Sequence, residues 1–268
     1  DVNYNVDFTY AVNKTVNVAF GAEHRTEEFT IGAGEEASYV DGIGGVAGLG
    51  VQGFSASTNG FPGFSPDIAG DFDRSNDAVY IDAEWDASED LLLAAAVRFE
   101  DFDGFGSTTN YKLGANYKLN DNFGLRATLS TGFKAPTAGQ LNASNISTLI
   151  DTATNQLVNE GVIPATNPVA AKVGAIALQP EKSDNYTVGI FGSIGAFNIT
   201  FDYFNIEVTD RLTLSKNFSL TAQDIIDLTA AGVAGADDIT VFKFFTNDFE
   251  TETSGFDLVL STETEWMG

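Results

Sequence analysis

Residues 111–136 contain two segments in which apolar and polar side chains alternate strictly, with a turn at Asn120, Asp121 and Asn122 between them. The apolar positions are Tyr111, Leu113, Ala115, Tyr117 and Leu119 in the first segment, and Phe123, Leu125, Ala127 and Leu129 in the second. Successive side chains of a β-strand point to opposite faces of the sheet. This period of two therefore predicts a β-hairpin with one apolar face and one polar face.

The same alternation recurs near residues 2–12, 91–102 and 196–208. Large apolar residues occupy one face of each segment, while charged, amide and small residues occupy the other. Such an imbalance is typical of transmembrane β-barrels, whose outer face contacts lipid and whose interior is polar. On this register we expect a set of polar residues to face the lumen: Asp82, Glu84, Arg98, Lys112, Asn116, Arg126 and Asp202.

Composition excludes two classes of protein, nucleic-acid-binding proteins and helical membrane proteins. The 268 residues carry a net charge of -25 with only 13 Lys and Arg, so no basic surface is available for nucleic acid. No segment approaches the roughly 18 consecutive apolar residues of a transmembrane helix, whereas a barrel strand needs only about 9–11 residues. The chain has no Cys, which excludes disulfides and thiolate metal sites.

The coarse pattern predicts about ten strands, including 239–247 and 252–262 joined by a short turn. Short and long connections largely alternate, with long loops near 31–76, 134–182 and 209–238. Outer-membrane barrels have short periplasmic turns and longer extracellular loops. We therefore predict an all-β fold, with residues 1–268 forming part of one antiparallel up-and-down barrel domain. Within the last loop, Thr221 to Gly232 predicts a short capped helix.

The residues with catalytic or ligand-binding chemistry form no specific constellation. His24 is the only His and has no matching Ser and acid pattern, so we expect neither catalysis nor a cofactor. Asp71, Asp73 and Asp77 are weak candidates for Ca²⁺ binding, because their spacing lacks the Gly and Glu of an EF-hand loop. A loop platform for a sugar or flat ligand could be formed by Phe54, Phe61, Phe64 and Phe72, although packing of the loop onto itself is the favoured interpretation.

Four phrases along the chain resemble the barrel domain of TonB-dependent outer-membrane receptors. They are Gly132–Pro136 (GFKAP), Leu178–Ser183 (LQPEKS), the segment from Tyr203 to Arg211, and the segment from Phe244 to Asp257. Lys134 stands where the family usually has Arg. The phrases occur in family order and span nearly the whole chain, which makes the resemblance stronger than any one of them.

This resemblance implies an open half-barrel, about ten strands of a roughly 22-stranded barrel, in the bacterial outer membrane. We expect the plug domain, the N-terminus that engages a TonB-type energy-transducing protein, and the C-terminal strands to lie outside this chain. The implied function is active import of a scarce small-molecule ligand, either a siderophore, a cobalamin or an oligosaccharide. A passive porin and a structural or adhesive surface protein are the alternatives. The implied partners are outer-membrane lipid, the plug, the TonB-type protein and the ligand.

Overall fold

The computed structural model describes residues 1–39, 63–64, 66, 68–142, 144–151, 156–233 and 241–263, with backbone alone at 37, 146–151 and 156–159. Twelve strands, three α-helices and one short 3-10 helix (Glu36–Ser38) follow along the chain. In chain order they are β1 (Val2–Ala11), β2 (Val16–Ile31), β3 (Gly70–Asp86), β4 (Leu91–Phe102), β5 (Gly106–Asn120), β6 (Phe123–Lys134), α1 (Ala138–Asn142), β7 (Asn145–Asp151), β8 (Gln156–Val162), α2 (Pro168–Ala171), β9 (Glu181–Ile194), β10 (Phe197–Leu214), α3 (Ala222–Ala230), β11 (Val241–Lys243) and β12 (Phe245–Thr262).

Nine strands form one large sheet in the order β1-β2-β3-β4-β5-β6-β9-β10-β12. Every neighbouring pair in this sheet is antiparallel. Four tight turns join strands at one end of the sheet, and the connections at the other end include the three longest. The all-β, up-and-down architecture predicted from the alternation is confirmed.

The strand register keeps apolar side chains in line across the sheet. Leu113 is opposite Leu129, Leu125 is opposite Ile190, and Ile190 is opposite Phe201. These large side chains are exposed rather than packed in a core. We call this side of the sheet the apolar face and the other side the polar face. The predicted separation of the two sets of side chains is confirmed.

The main hydrophobic core lies outside the large sheet, at its long-loop end. β11, α2 and α3 contribute residues to this core, and β11 pairs with β8 and β8 with β7 in a second sheet of three strands. The buried members of this core are Ile163, Ala165, Val169, Ala170, Leu178, Leu228, Phe242 and Phe244. We call this body the loop unit, formed by the described residues within 135–180 and 215–244. The β6–β9 and β10–β12 connections thus fold together.

Three predicted boundaries were wrong. The two strands expected at 239–247 and 252–262 are a short strand of the loop unit, β11, and one uninterrupted strand, β12. β3 begins at Gly70, and β10 continues to Leu214, so both extend into segments expected to be loops. These strand ends pair with equally long neighbours, which supply hydrogen bonds that residue type alone does not reveal.

The helix predicted from Thr221 is confirmed as α3. Thr221 is its N-cap, and the side chain of Asp224 completes a capping box with the Thr221 backbone. Gly232 follows the helix with a φ of 75°, a left-handed conformation that favours glycine. No helix in the described ranges is long and apolar enough to cross a membrane.

Candidate functional site

Two groups of charged side chains on the polar face each join residues across an intervening strand. In the first, Arg126 on β6 binds Asp202 on β10 in a bidentate pair, with Arg126 Nε 2.7 Å from Asp202 Oδ1. β9 lies between these two strands, and the residue beneath the pair is Gly189. A Cβ at position 189 would overlap the Asp202 carboxylate, so glycine permits the two side chains to meet across β9.

The second group surrounds Arg98 on β4. Its Nη2 lies 2.8 Å from Glu23 Oε2 on β2, and its Nε lies 2.7 Å from Glu100 Oε1. The arginine therefore crosses β3 beside its register partner Tyr80, whose ring lies 6.0 Å from the guanidinium, while Ala78 of β3 lies between Glu23 and Glu100. Asn76 donates to the same Glu100 carboxylate over 3.1 Å. In both groups a small residue of the intervening strand, Gly189 or Ala78, lies between the charged residues of the two flanking strands.

An open groove of about 480 Å³ lies beside Arg98 on the polar face. Ala96 is at its centre, because it pairs with Asp82 on one side and with Lys112 on the other. Further lining comes from Tyr80, Asn110 and Ser130. Among the described residues, neither Asp82 nor Lys112 belongs to an ion pair. The groove therefore offers one carboxylate and one ammonium group on either side of a small residue.

A larger groove, of about 750 Å³, lies on the apolar face. Four alanines, Ala83, Ala95, Ala115 and Ala127, share this face in the strand register and line the groove. Larger side chains around them include Trp85, Leu113, Leu129 and Tyr186. No charged side chain lines it, so it lacks the groups that would orient a polar ligand.

All seven residues expected in the lumen lie on the polar face by strand register: Asp82, Glu84, Arg98, Lys112, Asn116, Arg126 and Asp202. The structure brings Arg126 and Asp202 into contact, and Asn116 is the register partner of Arg126. Asp82 and Lys112 face each other across the polar groove. That this face lines a lumen stays a prediction.

The expected loop platform of phenylalanines is not assembled as such. Phe72 lies within β3 rather than in a loop, and its ring stacks on Phe29 of β2 with centroids 6.3 Å apart. The Phe64 carbonyl accepts a hydrogen bond from the Gly34 amide at 2.9 Å. Phe54 and Phe61 lie outside the described residues.

The weak Ca²⁺ candidates are also spread along a strand. Asp71, Asp73 and Asp77 occupy the extended β3, and Asp77 Oδ1 lies 2.8 Å from His24 Nδ1 on β2. No group of three or more acidic or His side chains suited to a metal ion occurs within the part of the chain that the structure describes. Six residues of extended strand separate Asp71 from Asp77 by about 20 Å, too far for all three carboxylates to share one ion.

The resemblance phrases meet at the base of the loop unit, a role that the sequence analysis missed. Asn247 Nδ2 donates to the Gln179 carbonyl at 2.8 Å and to the Asp210 carbonyl at 2.5 Å, and its Oδ1 accepts from the Gln179 amide at 2.9 Å. The Glu181 carboxylate accepts from the Leu212 amide at 3.0 Å. Polar residues at the ends of adjacent strands were the available signal.

Asp210 has a φ of 54°, in the left-handed region that is uncommon for residues other than glycine. It lies in a β-bulge between Val208 and Arg211. Asn247 holds the Asp210 carbonyl in this conformation, and the Arg211 guanidinium covers the Phe249 ring at 5.2 Å. We call the hydrogen-bonded set Gln179, Glu181, Asp210, Leu212 and Asn247 the rim joint, since it connects the loop unit to the large sheet.

Comparison with known proteins is consistent with this architecture. A family model described as TonB dependent receptor-like, beta-barrel, matches residues 1–267. The vitamin B12 transporter BtuB of Vibrio cholerae serotype O1 is 28% identical over 153 residues, which cover 55% of this chain and 20% of the transporter. The chain thus spans about one fifth of the length of that curated relative.

Solved structures of low sequence identity share the fold. The siderophore receptor PirA of Acinetobacter baumannii superposes with a TM-score of 0.60 at 16% identity, covering 97% of this chain and 34% of that chain. A mutant of the ferric enterobactin receptor PfeA of Pseudomonas aeruginosa gives a TM-score of 0.62 at 12% identity, covering 96% and 32%. The FrpB iron transporter of Neisseria meningitidis gives 0.56 at 15% identity, covering 97% and 32%.

Proposed function

Because this chain belongs to the TonB-dependent receptor family, whose β-barrel model it matches over residues 1–267, we propose that it is part of an outer-membrane receptor for active import of a small ligand. The observation that carries the proposal is the large antiparallel sheet with one apolar face and one charged face. In a soluble protein the exposed apolar face would be covered by a second layer.

The apolar face contacts lipid in this proposal. Its exposed residues include Phe8, Ile81, Leu113 and Leu129 on four different strands, which is more apolar surface than water tolerates in one patch. The groove around Ala95 is then filled by acyl chains, which need no polar partner. Lipid on this side places the polar face toward the barrel interior.

The loop unit then lies on the extracellular side, because long connections mark that end of outer-membrane barrels. Ligand is captured beneath or beside the loop unit and passes along the polar face. The polar groove between Asp82 and Lys112 offers both charges to a passing ligand or to a plug domain. Energy for release comes from a TonB-type protein acting on a plug domain.

The ligand class is a siderophore, a cobalamin or an oligosaccharide. One relative by sequence is named as a vitamin B12 transporter, and one protein of similar fold is named as a ferric enterobactin receptor. Neither name assigns a ligand to this chain, since the first relative is matched over a small part of its length and the second shares only the fold.

Uptake by the full-length protein tests the proposal. The complete gene would be expressed in a host lacking its own cobalamin and catecholate receptors, and accumulation of labelled cyanocobalamin, ferric enterobactin and a panel of oligosaccharides measured. We expect one class to be accumulated against its gradient, with accumulation abolished by an uncoupler or by deletion of the host TonB protein. Entry that persists without energy would establish a passive porin. Surface expression without uptake of any class would favour an adhesive or structural protein.

A further inference from the structure

The segment between β6 and α1 does not leave the sheet at its own strand. β6 ends at Lys134, yet the Pro136 carbonyl accepts a hydrogen bond from Arg74 on β3. Three strand spacings separate β6 from β3, about 14 Å at roughly 4.8 Å each. Two residues of extended chain cover only about 7 Å. The long Arg74 side chain closes the remainder, so the segment crosses above β4 and β5.

The top of the sheet is open where this crossing occurs. β5 and β6, both described throughout, pair only as far as Lys112 and Ser130. Above that point, the Thr131 hydroxyl accepts from the Tyr111 amide at 3.0 Å in place of a backbone carbonyl. The β4–β5 turn is also short, because β4 ends at Phe102 and β5 begins at Gly106. Between β4 and β6 the long-loop edge of the sheet, which we call the rim, is therefore shorter than at the neighbouring strands.

Aromatic side chains fill this low part of the rim. The Phe102 ring stacks on Phe105 with centroids 4.8 Å apart and meets the edge of Phe133 at 5.5 Å. The Arg74 guanidinium lies over the same Phe102 ring at 5.7 Å. Arg74 also pairs with Glu27 on β2, and it is only 8% exposed. Its planar group is thus held by a carbonyl, a carboxylate and a ring.

The C-terminal part of this segment contacts both the large sheet and the core of the loop unit. Position 139 faces the Phe29 ring of β2, where a Cβ would lie 3.6 Å from the nearest ring carbon. Leu141, two residues later, packs against the core of the loop unit. Pro136 and Ala138, which precede these two residues in the chain, are buried. Residues 133–142, which we call the strut and which from residue 135 onward belong to the loop unit, therefore attach that unit to β2 and β3, in addition to its connections to β6, β9, β10 and β12.

We propose that Arg74 is a positioning residue that fixes the strut across the polar face, so that the loop unit is a stationary roof over the barrel mouth rather than a hinged lid. A loop held only by the rim joint could swing about β9, β10 and β12. Attachment on β2 and β3 removes that freedom. Ligand then enters beside the strut, through an opening of fixed shape. The extracellular side of this roof rests on the proposed function.

Cysteine accessibility on intact cells tests the strut, since this chain has no Cys of its own. In the full-length receptor, with any cysteine outside this chain replaced by serine, Ala138→Cys reports a buried strut position and Lys134→Cys an exposed one. A membrane-impermeant maleimide should label position 134 quickly and position 138 slowly. Equal labelling of the two would overturn the strut. Failure to label position 134 from outside would instead contradict the proposed orientation.

Arg74→Ala should raise labelling at position 138 by roughly ten- to one-hundred-fold, the factor expected for loss of hydrogen bonds to a charged group. Arg25→Ala is the matched control, because Arg25 pairs with the same Glu27. It should leave position 138 protected. Arg74→Lys keeps the charge but not the planar fork, so an intermediate rate is expected. Unchanged protection in Arg74→Ala would overturn the role of Arg74.

A crosslinking experiment distinguishes displacement of the strut from a general loss of barrel stability. Phe29→Cys with Gly139→Cys should form a disulfide on mild oxidation, detected as altered migration of the denatured protein without reductant. Adding Arg74→Ala should slow this crosslink about tenfold or more, whereas adding Arg25→Ala should not. Heat-modifiable migration of each variant verifies a folded barrel. Should Arg74→Ala prevent folding, Arg74→Lys carries the comparison, and an unchanged crosslinking rate in it would refute the proposal.

Discussion

Gly189 and Gly114 occupy equivalent places on the polar face, yet the structure predicts opposite effects of alanine at the two positions. At 189 a methyl group would overlap the Asp202 carboxylate and lie 2.8 Å from the Phe201 carbonyl. At 114 the nearest atom is Ala94 Cβ at 3.7 Å, an ordinary contact. The pair therefore isolates crowding from the general effect of replacing glycine in a strand.

The expected change in the free energy of unfolding for Gly189→Ala combines two destabilising effects and one stabilising effect. Gly189→Ala displaces Asp202 from Arg126, and hydrogen bonds to charged groups contribute about 1.5–3 kcal/mol. Crowding against the backbone adds about 1–3 kcal/mol, while reduced flexibility of the unfolded chain returns about 0.4–1 kcal/mol. We expect Gly189→Ala to lower the free energy of unfolding by about 2–5 kcal/mol. Gly114→Ala should raise it by about 0.4–1 kcal/mol.

Urea titration of the full-length receptor in lipid bilayers, followed by tryptophan fluorescence and heat-modifiable migration, would measure both changes. The double variant Gly189→Ala/Asp202→Ala provides a further check, because without the carboxylate only the carbonyl contact remains. The cost of Gly189→Ala should then shrink. Equal effects of alanine at 189 and 114, or an undiminished cost in the double variant, would refute the argument that glycine makes room for the ion pair.

Three further perturbations test other parts of the structure. Leu129→Arg should cost about 2–4 kcal/mol if it lies near the bilayer midplane, whereas its neighbour Ser130→Arg should fold into bilayers almost normally; equal costs would contradict the assignment of faces. Phe242→Ala should destabilise the loop unit by about 3–5 kcal/mol, with hydrogen exchange rising in α3 and β8 but not in β4. The Thr221 hydroxyl and amide hold the pKa of Asp224 below its ordinary value, so protection of α3 from exchange should be complete at neutral pH and decline as pH falls below about 3.9. Asp224→Asn should remove that pH dependence, and its persistence would assign it to another group.

The faces of the large sheet could be predicted from sequence because each strand places successive side chains on opposite faces, and apolar and polar residues alternate with the same period of two. Leu113, Leu125 and Leu129 alternate with Lys112 and Arg126, and the register preserves that order. The ion pairs themselves were not predictable. Arg126 and Asp202 are 76 residues apart, and their contact depends on which strands become neighbours and on the glycine between them.

The loop unit escaped prediction for a related reason. Ile163 and Phe242 belong to one core although they come from two different connections, and the strand predicted at 239–247, which contains Phe242, gave no sign that it would leave the large sheet. Phe72 and Asp71 were expected in a loop because the start of β3 has polar residues on both faces. That part of the strand lies before the segment in which apolar residues alternate with polar ones, so no period of two marks it as a strand.

Because the two long connections share one hydrophobic core, they can be exchanged between proteins only together. Described residues of both connections, within 135–180 and 215–244, share one core, while the Asn247 side chain holds their base through hydrogen bonds to the backbone of Gln179 and Asp210. Replacing one connection alone with that of another receptor would leave half of a core without its complement. Replacing both, cut at these three residues, would transfer the whole core onto an unchanged large sheet. Evolution of a new recognition surface on this chain therefore requires matched changes in two segments that are distant in sequence.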